Sequence, residues 1–168
     1  MIVNFSIQNF GSIKDKQTLS FEADTSEHLE DTYVVHTAGK RLLKLALIYG
    51  ANASGKTTVL KALDFLRNLV VNPKEKKTDM LDFSPYLFDA NTPEQPTELS
   101  IAFVHEEVYY EYEVAFTRQS VIREVLYVYD PEKTLVYERT TDIEGQLTKI
   151  NFGYPITLDK SAQQVLEL

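Results

Sequence analysis

The sequence predicts an α/β fold in which a glycine-bearing loop joins a buried strand to a helix, and an antiparallel β-meander follows. Residues 42–49 are almost all apolar, and apolar residues recur at spacings of three and four through residues 56–71. Apolar and polar residues then alternate through most of residues 97–152. The chain has 168 residues, 43% of them apolar and 25% charged, so it is long enough to bury one hydrophobic core.

The N-terminal part predicts a set of short strands. Apolar and polar side chains alternate through residues 1–10, as in a half-buried strand. The alternation recurs at residues 18–23, and residues 9–12 have the composition of a turn. A further short strand is predicted at residues 33–36.

The apolar run at residues 42–49 lacks alternation, which is typical of a strand covered on both faces in a parallel sheet. This strand is predicted to end at Gly50. The spacing after the loop predicts an amphipathic helix over residues 56–71, and Pro73 ends it.

The rest of the chain divides into a proline-containing loop and the meander. The loop is expected to hold one short turn, at residues 80–83. Hairpin turns of the meander are predicted at residues 105–107, 118–119 and 130–133. The expected organisation is strands, glycine loop and helix at 1–72, the connecting loop at 73–96, the meander at 97–152 and a final segment at 153–168, with a helix starting at residue 158.

The composition excludes several kinds of site. A net charge of −8 disfavours contact with nucleic acid or anionic lipid, and the one basic run, residues 74–77, is interpreted as a solvated loop. The chain has no cysteine, and its three scattered histidines (His28, His36 and His105) argue against a histidine metal centre. Neither a secretory leader nor an apolar stretch of ~20 residues occurs, so we expect a cytoplasmic protein without a membrane segment.

The glycine loop carries the most specific pattern in the sequence. Residues 50–57, Gly-Ala-Asn-Ala-Ser-Gly-Lys-Thr, fit G-x-x-x-x-G-K-[ST] in full, the pattern of a phosphate-binding loop or P-loop. A predicted strand before it and a helix after it are the context that the pattern requires. The sequence therefore predicts a site for ATP and Mg²⁺, with contacts from Gly50, Asn52, Ala53, Ser54, Gly55, Lys56, Thr57 and Thr58.

Each position of the loop has a physical role. Glycine at positions 50 and 55 permits a tight backbone path close to phosphate. The N–H groups of residues 53–58 are expected to point into an anion-binding nest at the positive end of the helix dipole. Lys56 is predicted to contact the β- and γ-phosphates as the catalytic cation, Thr57 to bind Mg²⁺, and Thr58 to contact the α-phosphate.

Hydrolysis also requires a carboxylate that holds the metal and orients water. Asp130 follows an apolar strand, but residues 130–133 are better explained as a hairpin turn. Gln95 is a candidate for a glutamine that touches Mg²⁺, although its place between Pro93 and Pro96 favours a loop.

The loop and the Val-Leu-Lys-Ala-Leu at residues 59–63 resemble the ABC-type ATPase heads of the RecF and chromosome-maintenance (SMC) group. They are most similar to bacterial AAA-type ATPases related to the OLD proteins and to abortive-infection and anti-phage systems. The Asn9-Phe10 turn followed by Ser12-Ile13, and the tyrosines of residues 109–112, also look like that family. Relatives often have a basic residue where this chain has Gly11, and Lys14 is the nearest substitute.

This resemblance implies a P-loop NTPase fold, the N-terminal lobe of an ABC-type head with a mixed sheet and an antiparallel meander. It also implies a homodimer that sandwiches two ATP molecules, with DNA or a nuclease as a further partner in DNA transactions or phage defence. The catalytic carboxylate and the Leu-Ser-x-Gly capping motif would belong to a C-terminal lobe outside these residues. The full protein would be an ATPase, and this chain alone inactive or very weak.

Two other functions stay open on the residues alone. A self-contained P-loop kinase or NTPase switch would use Asp130 as its metal carboxylate. A non-catalytic interaction module would dock a partner on the aromatic sheet, and Lys56 would then not matter.

Overall fold

Seven antiparallel strands form the main sheet of the protein. The computed structural model describes residues 1–72, 80–142 and 147–153. The strands of this sheet are β1 (Ile2–Gln8), β2 (Gln17–Ser20), β5 (Thr97–His105), β6 (Val108–Phe116), β7 (Val121–Tyr129), β8 (Lys133–Asp142) and β9 (Leu147–Phe152). They lie in the order β2-β1-β5-β6-β7-β8-β9. A separate two-stranded sheet pairs β3 (Val34–Thr37) with β4 (Lys40–Leu43).

Within residues 1–72, 80–142 and 147–153, two helices accompany the sheets, α1 (Glu30–Tyr33) and α2 (Lys56–Val71), with a 3₁₀ turn at Thr92–Glu94 before β5. In the described part of the chain, no helix combines the length and hydropathy needed to cross a membrane. The predicted bounds of α2 are confirmed. Its buried Ala62 and Leu66 join the same hydrophobic cluster as Phe5, Leu99 and Phe116 of the sheet, so the helix covers one face of β1, β5 and β6.

Four phenylalanines connect the helix, the sheet and the loop that follows the helix. Phe65 of α2 and Phe83 of the loop lie with their ring centroids 5.1 and 4.9 Å from that of Phe116 in β6. Phe10, after β1, lies 5.8 Å from Phe65 and 5.9 Å from Phe83. Aromatic pairs at these distances stabilise a fold beyond the area that they bury. This phenylalanine cluster therefore holds together the elements that surround the glycine loop.

The meander confirms the predicted hairpins. The closing pairs are His105 with Val108, Phe116 with Val121, and Tyr129 with Lys133. Asp130 thus lies in the turn between β7 and β8, as its sequence context favours. The strand predicted at the N-terminus is also confirmed, since β1 buries its alternate residues Val3, Phe5 and Ile7.

The prediction of a parallel strand at residues 42–49 is wrong, because the structure places only residues 42 and 43 of this run in a strand. Strand β4 ends at Leu43 and pairs antiparallel with β3. The side chains of Leu45, Leu47 and Tyr49 are 58%, 65% and 83% exposed. An apolar run indicates burial on both faces, but such burial needs neighbouring strands, and no described strand runs beside these residues. The basic run at 74–77 and the helix expected from residue 158 lie outside the described residues.

Tyrosine hydroxyls share carboxylates on the meander. Tyr109 donates to Glu111 Oε1 at 3.1 Å, and Tyr129 and Lys133 donate to Glu111 Oε2 at 2.8 and 2.7 Å. Burial raises the pKa of Tyr109 to about 12, and the Glu111 carboxylate adds to the shift because it would repel a phenolate. The folded chain therefore favours the protonated form of Tyr109.

The free energy of unfolding is expected to fall as the pH rises from 10 to about 12. The pKa of Tyr109 is above its ordinary value of 10.0, so its contribution to stability is complete below pH 10 and is lost as the pH passes about 12. Denaturant unfolding of Tyr109→Phe should show a shallower decline than wild type over this range. Tyr33→Phe, at a tyrosine outside this network, is the control and should decline like wild type. Identical slopes for wild type and Tyr109→Phe would contradict the assignment.

Candidate functional site

The glycine loop leads directly into α2, with Gly55 as its N-cap residue. Ala53 and Gly55 have φ angles of 62° and 91°, so the backbone turns sharply just before the helix. A Cβ atom at residue 50 would lie 2.7 Å from Ser54 Oγ, and one at residue 55 would lie 3.2 Å from Ser12 Oγ. A side chain at residue 50 would displace the Ser54 hydroxyl, and one at residue 55 would be strained by the positive φ.

The first turn of α2 presents backbone donors at the loop. The N–H groups of Lys56, Thr57 and Thr58 precede the first bond of the helix, from Val59 N–H to Gly55 C=O at 3.2 Å, so the helix itself offers them no acceptor. They lie at the positive end of the helix dipole. Ser54 differs from the expected nest, because its N–H donates to Ala51 C=O at 3.3 Å.

The Lys56 side chain folds back over the loop. Its Nζ donates to the carbonyl oxygens of Gly50 at 2.8 Å and Ala51 at 2.6 Å. Both acceptors are neutral, and an ammonium group bonds more strongly to charged oxygens such as those of phosphate. The cation is therefore already at the loop, with partners that an anion could replace.

The two threonines that follow Lys56 have different surroundings. Thr57 is exposed, so its hydroxyl is accessible to a hard cation such as Mg²⁺. Thr58 Oγ1 and Ser12 Oγ share a hydrogen bond of 2.8 Å. Thr58 thus ties the helix to the turn between β1 and β2, and any contact of its hydroxyl with phosphate would replace that bond. Asn52 is exposed on the loop.

Asn9 fixes that turn, a role that the sequence did not reveal. It is 2% exposed, and its Oδ1 accepts the Tyr86 N–H at 3.0 Å. Its Nδ2 donates to the carbonyl oxygens of Thr92 at 2.7 Å and Gln95 at 2.9 Å. The turn beside the glycine loop and the segment before β5 are therefore held as one unit. Gln95 takes part through its backbone, while its side chain is exposed.

An open cleft of about 520 Å³ joins these parts. Its lining brings Ser54, Gly55 and Lys56 together with Lys14 and Tyr86. This volume lies within the range of small-molecule sites. The elements around the loop thus leave space for a ligand directly beside the Lys56 ammonium.

Lys14 also lines the cleft. Its Nζ is 2.6 Å from Asp89 Oδ2. Hydrogen bonding and charge attraction within the pair raise the pKa of Lys14 and lower that of Asp89. Both groups are therefore charged at neutral pH, and Lys14 would have to share its charge between Asp89 and a ligand.

Asp130 is far from the loop. The glycine loop adjoins the end of the sheet at which Thr97 donates to the Asn9 carbonyl, whereas Asp130 lies at the opposite end, beside the pair of Tyr129 with Tyr109. A nine-residue strand such as β5 is about 27 Å long. Asp130 is thus not placed to hold a metal ion at Thr57.

Gly11 is expected to be a sensitive position. Its φ is +56°, and an added Cβ would lie 2.9 Å from Thr58 Cγ2, so Gly11→Ala should strain the backbone and displace Thr58. Gly39 has a φ of +70°, and a Cβ added there would meet no atom within 4 Å, so Gly39→Ala measures the cost of backbone strain alone. Denaturant unfolding should show a loss of about 1 kcal/mol for Gly39→Ala and a larger one for Gly11→Ala. Equal losses would mean that the Thr58 contact is unimportant.

The comparison with known families gives a match that includes the loop and the meander. No curated protein matches the chain. Residues 45–163, more than two thirds of the chain, match the family described as "AAA domain, putative AbiEii toxin, Type IV TA system". The match contains the glycine loop, helix α2 and strands β5 to β9. With the complete loop motif and the cleft beside it, this chain belongs to that family of AAA-type, P-loop ATPase-like domains.

Proposed function

We propose that this chain binds ATP with Mg²⁺ at residues 50–58, as the nucleotide-binding lobe of an ABC-type ATPase of the RecF, SMC and OLD-like group. The proposal rests on the Lys56 ammonium, which lies beside the cleft at the start of α2, where the first N–H groups of the helix have no helical acceptor. A triphosphate is the ligand that this set of donors fits best.

The residues have separate tasks in binding. The N–H groups of Lys56, Thr57 and Thr58 donate to phosphate oxygens. Lys56 Nζ donates to the β- and γ-phosphates in place of the Gly50 and Ala51 carbonyls. The Thr57 hydroxyl holds Mg²⁺. When bound, the metal neutralises charge on the phosphates.

Hydrolysis is proposed to need a second lobe. The position of Asp130 at the far end of the sheet argues against a self-contained kinase or switch. The carboxylate and the Leu-Ser-x-Gly motif would come from a C-terminal lobe, and two complete copies would close around two ATP molecules. The exposed apolar side chains of Leu45 and Leu47 support such a lobe, since they are suited to a strand buried within a larger sheet.

The proposed context is phage defence, through a toxin–antitoxin or abortive-infection system in the cytoplasm. The family description supports it. A DNA or nuclease partner is proposed for the complete dimer. The charge of −8 disfavours nucleic acid at the surface of this chain alone.

Calorimetric titration of the chain with Mg-ATP tests the proposal. We expect one ATP per chain, with binding weakened by removal of Mg²⁺, and negligible turnover. No binding heat over a wide concentration range would refute ATP binding. Turnover by the isolated chain that is lost in Asp130→Asn would instead favour the self-contained enzyme. Partner binding that responds neither to ATP nor to Lys56→Ala would favour the interaction module.

A further inference from the structure

The cleft beside the glycine loop has an aromatic wall as well as a charged one. Tyr86 lines it together with Lys56, and the lining also includes the apolar residues Ile13 and Val59. Phosphate recognition uses charge and N–H donors, so these apolar and aromatic surfaces are suited to another part of the ligand.

Tyr86 is held in place by its backbone rather than by its ring. Its N–H donates to Asn9 Oδ1 at 3.0 Å, and its carbonyl accepts the Thr92 hydroxyl at 2.6 Å. The half-buried ring meets Phe88 in an edge contact, with centroids 5.8 Å apart and planes at 65°. Because these hydrogen bonds belong to the backbone, the ring can meet a ligand in the cleft that it lines without loss of them.

We propose that Tyr86 stacks on the base of the nucleotide whose phosphates the glycine loop binds. This inference rests on the proposed function and extends it to base recognition. Tyr49 also lines the cleft, but it is 83% exposed and lies in the extended segment before Gly50. Tyr86 is the more buried of the two and is anchored by its backbone, and a group that is held in place before binding loses less entropy.

Stacking has a recognisable chemical signature. Every base has a π-face, so a tyrosine platform accepts adenine and guanine alike. Inorganic tripolyphosphate has no base, so its affinity should not depend on the Tyr86 ring. The proposal therefore separates the affinity for nucleotide from the affinity for phosphate.

Calorimetry with Mg-ATP and with magnesium tripolyphosphate tests this separation. Tyr86→Ala should weaken ATP binding about tenfold and leave tripolyphosphate binding unchanged. Tyr86→Phe keeps the ring and should bind both ligands like wild type. Leu87→Ala, at an exposed neighbour outside the cleft lining, is the matched control and should change neither.

Several outcomes would overturn the proposal. One is an unchanged ATP affinity in Tyr86→Ala, and another is an equal fall in the affinities of that variant for ATP and tripolyphosphate. The third is a selective loss of ATP affinity in Tyr49→Ala instead. Failure of the proposed function itself is different, since wild type would then bind neither ligand.

A second measurement does not depend on the stability of Tyr86→Ala. The chain has no tryptophan, so Tyr86→Trp introduces a single fluorescent indole at the site. ATP should quench its fluorescence, and tripolyphosphate should not. Equal responses to the two ligands would contradict stacking.

Discussion

Replacing Lys56 by alanine is expected to weaken Mg-ATP binding about 10- to 150-fold, because charge-assisted hydrogen bonds contribute about 1.5–3 kcal/mol. The ammonium group donates to two carbonyls of the loop, at 2.8 and 2.6 Å. In the proposed complex, the same N–H donors of the ammonium group bind the phosphates instead. Calorimetric titration of wild type and variant under one salt condition measures the effect.

Lys61→Ala is the matched control, since Lys61 is exposed on the same helix and the variant loses the same charge. It should bind ATP nearly as wild type does, because an exposed charge is screened by salt. Equal ATP affinities for wild type and Lys56→Ala would contradict ATP binding by Lys56 at the glycine loop. Equal losses in both variants would show a general effect of charge.

Phe116→Ala is expected to lower the free energy of unfolding by about 3–5 kcal/mol. Phe116 is 0% exposed and contacts two rings of the phenylalanine cluster, those of Phe65 and Phe83. Removing its ring would leave a cavity bordered by Phe65 and Phe83. The loss is large against the total stability of a domain, about 5–15 kcal/mol. Guanidinium unfolding followed by circular dichroism measures it.

Phe88→Ala removes the same ring at an exposed site and serves as the control. Phe88 is 87% exposed, so its loss should stay within about 0.5 kcal/mol. Comparable losses for Phe116→Ala and Phe88→Ala would contradict the position of the core. Phe116→Ala is also expected to weaken ATP binding, since the phenylalanine cluster supports the helix that bears Lys56.

Local patterns in the sequence were sufficient for the elements whose partners are close in the chain. Spacings of three and four give the bounds of α2 because one face of a helix buries those residues. Alternation gives the hairpins of the meander because each strand pairs with the next one. The motif of the glycine loop likewise depends on consecutive residues.

The error at residues 44–49 has a different origin. An apolar run indicates that both faces of a segment are suited to burial. It does not indicate which strands would cover those faces. In the described residues, the chain near Leu45 and Leu47 has no such strands, and these side chains remain exposed. The prediction failed because the local sequence alone does not supply covering strands.

The support of the site was not predictable, because it joins residues that are far apart in sequence. Asn9 bonds to Thr92, Gln95 and Tyr86, which lie 83, 86 and 77 positions away. The family resemblance marked Asn9, but its buried bonding role is visible only once the turn and the segment before β5 are placed together. For the same reason, nothing in the local sequence of Tyr86 indicates that it lines the cleft.

Nuclear magnetic resonance of the isotope-labelled chain during a Mg-ATP titration tests the central claim most directly. We expect the largest shifts at the backbone amides of Gly55, Lys56, Thr57 and Thr58, with smaller ones at Ser12, which bonds to Thr58. Amides near Asp130 should not move. Shifts that leave the loop unchanged and appear elsewhere in the chain would contradict the account.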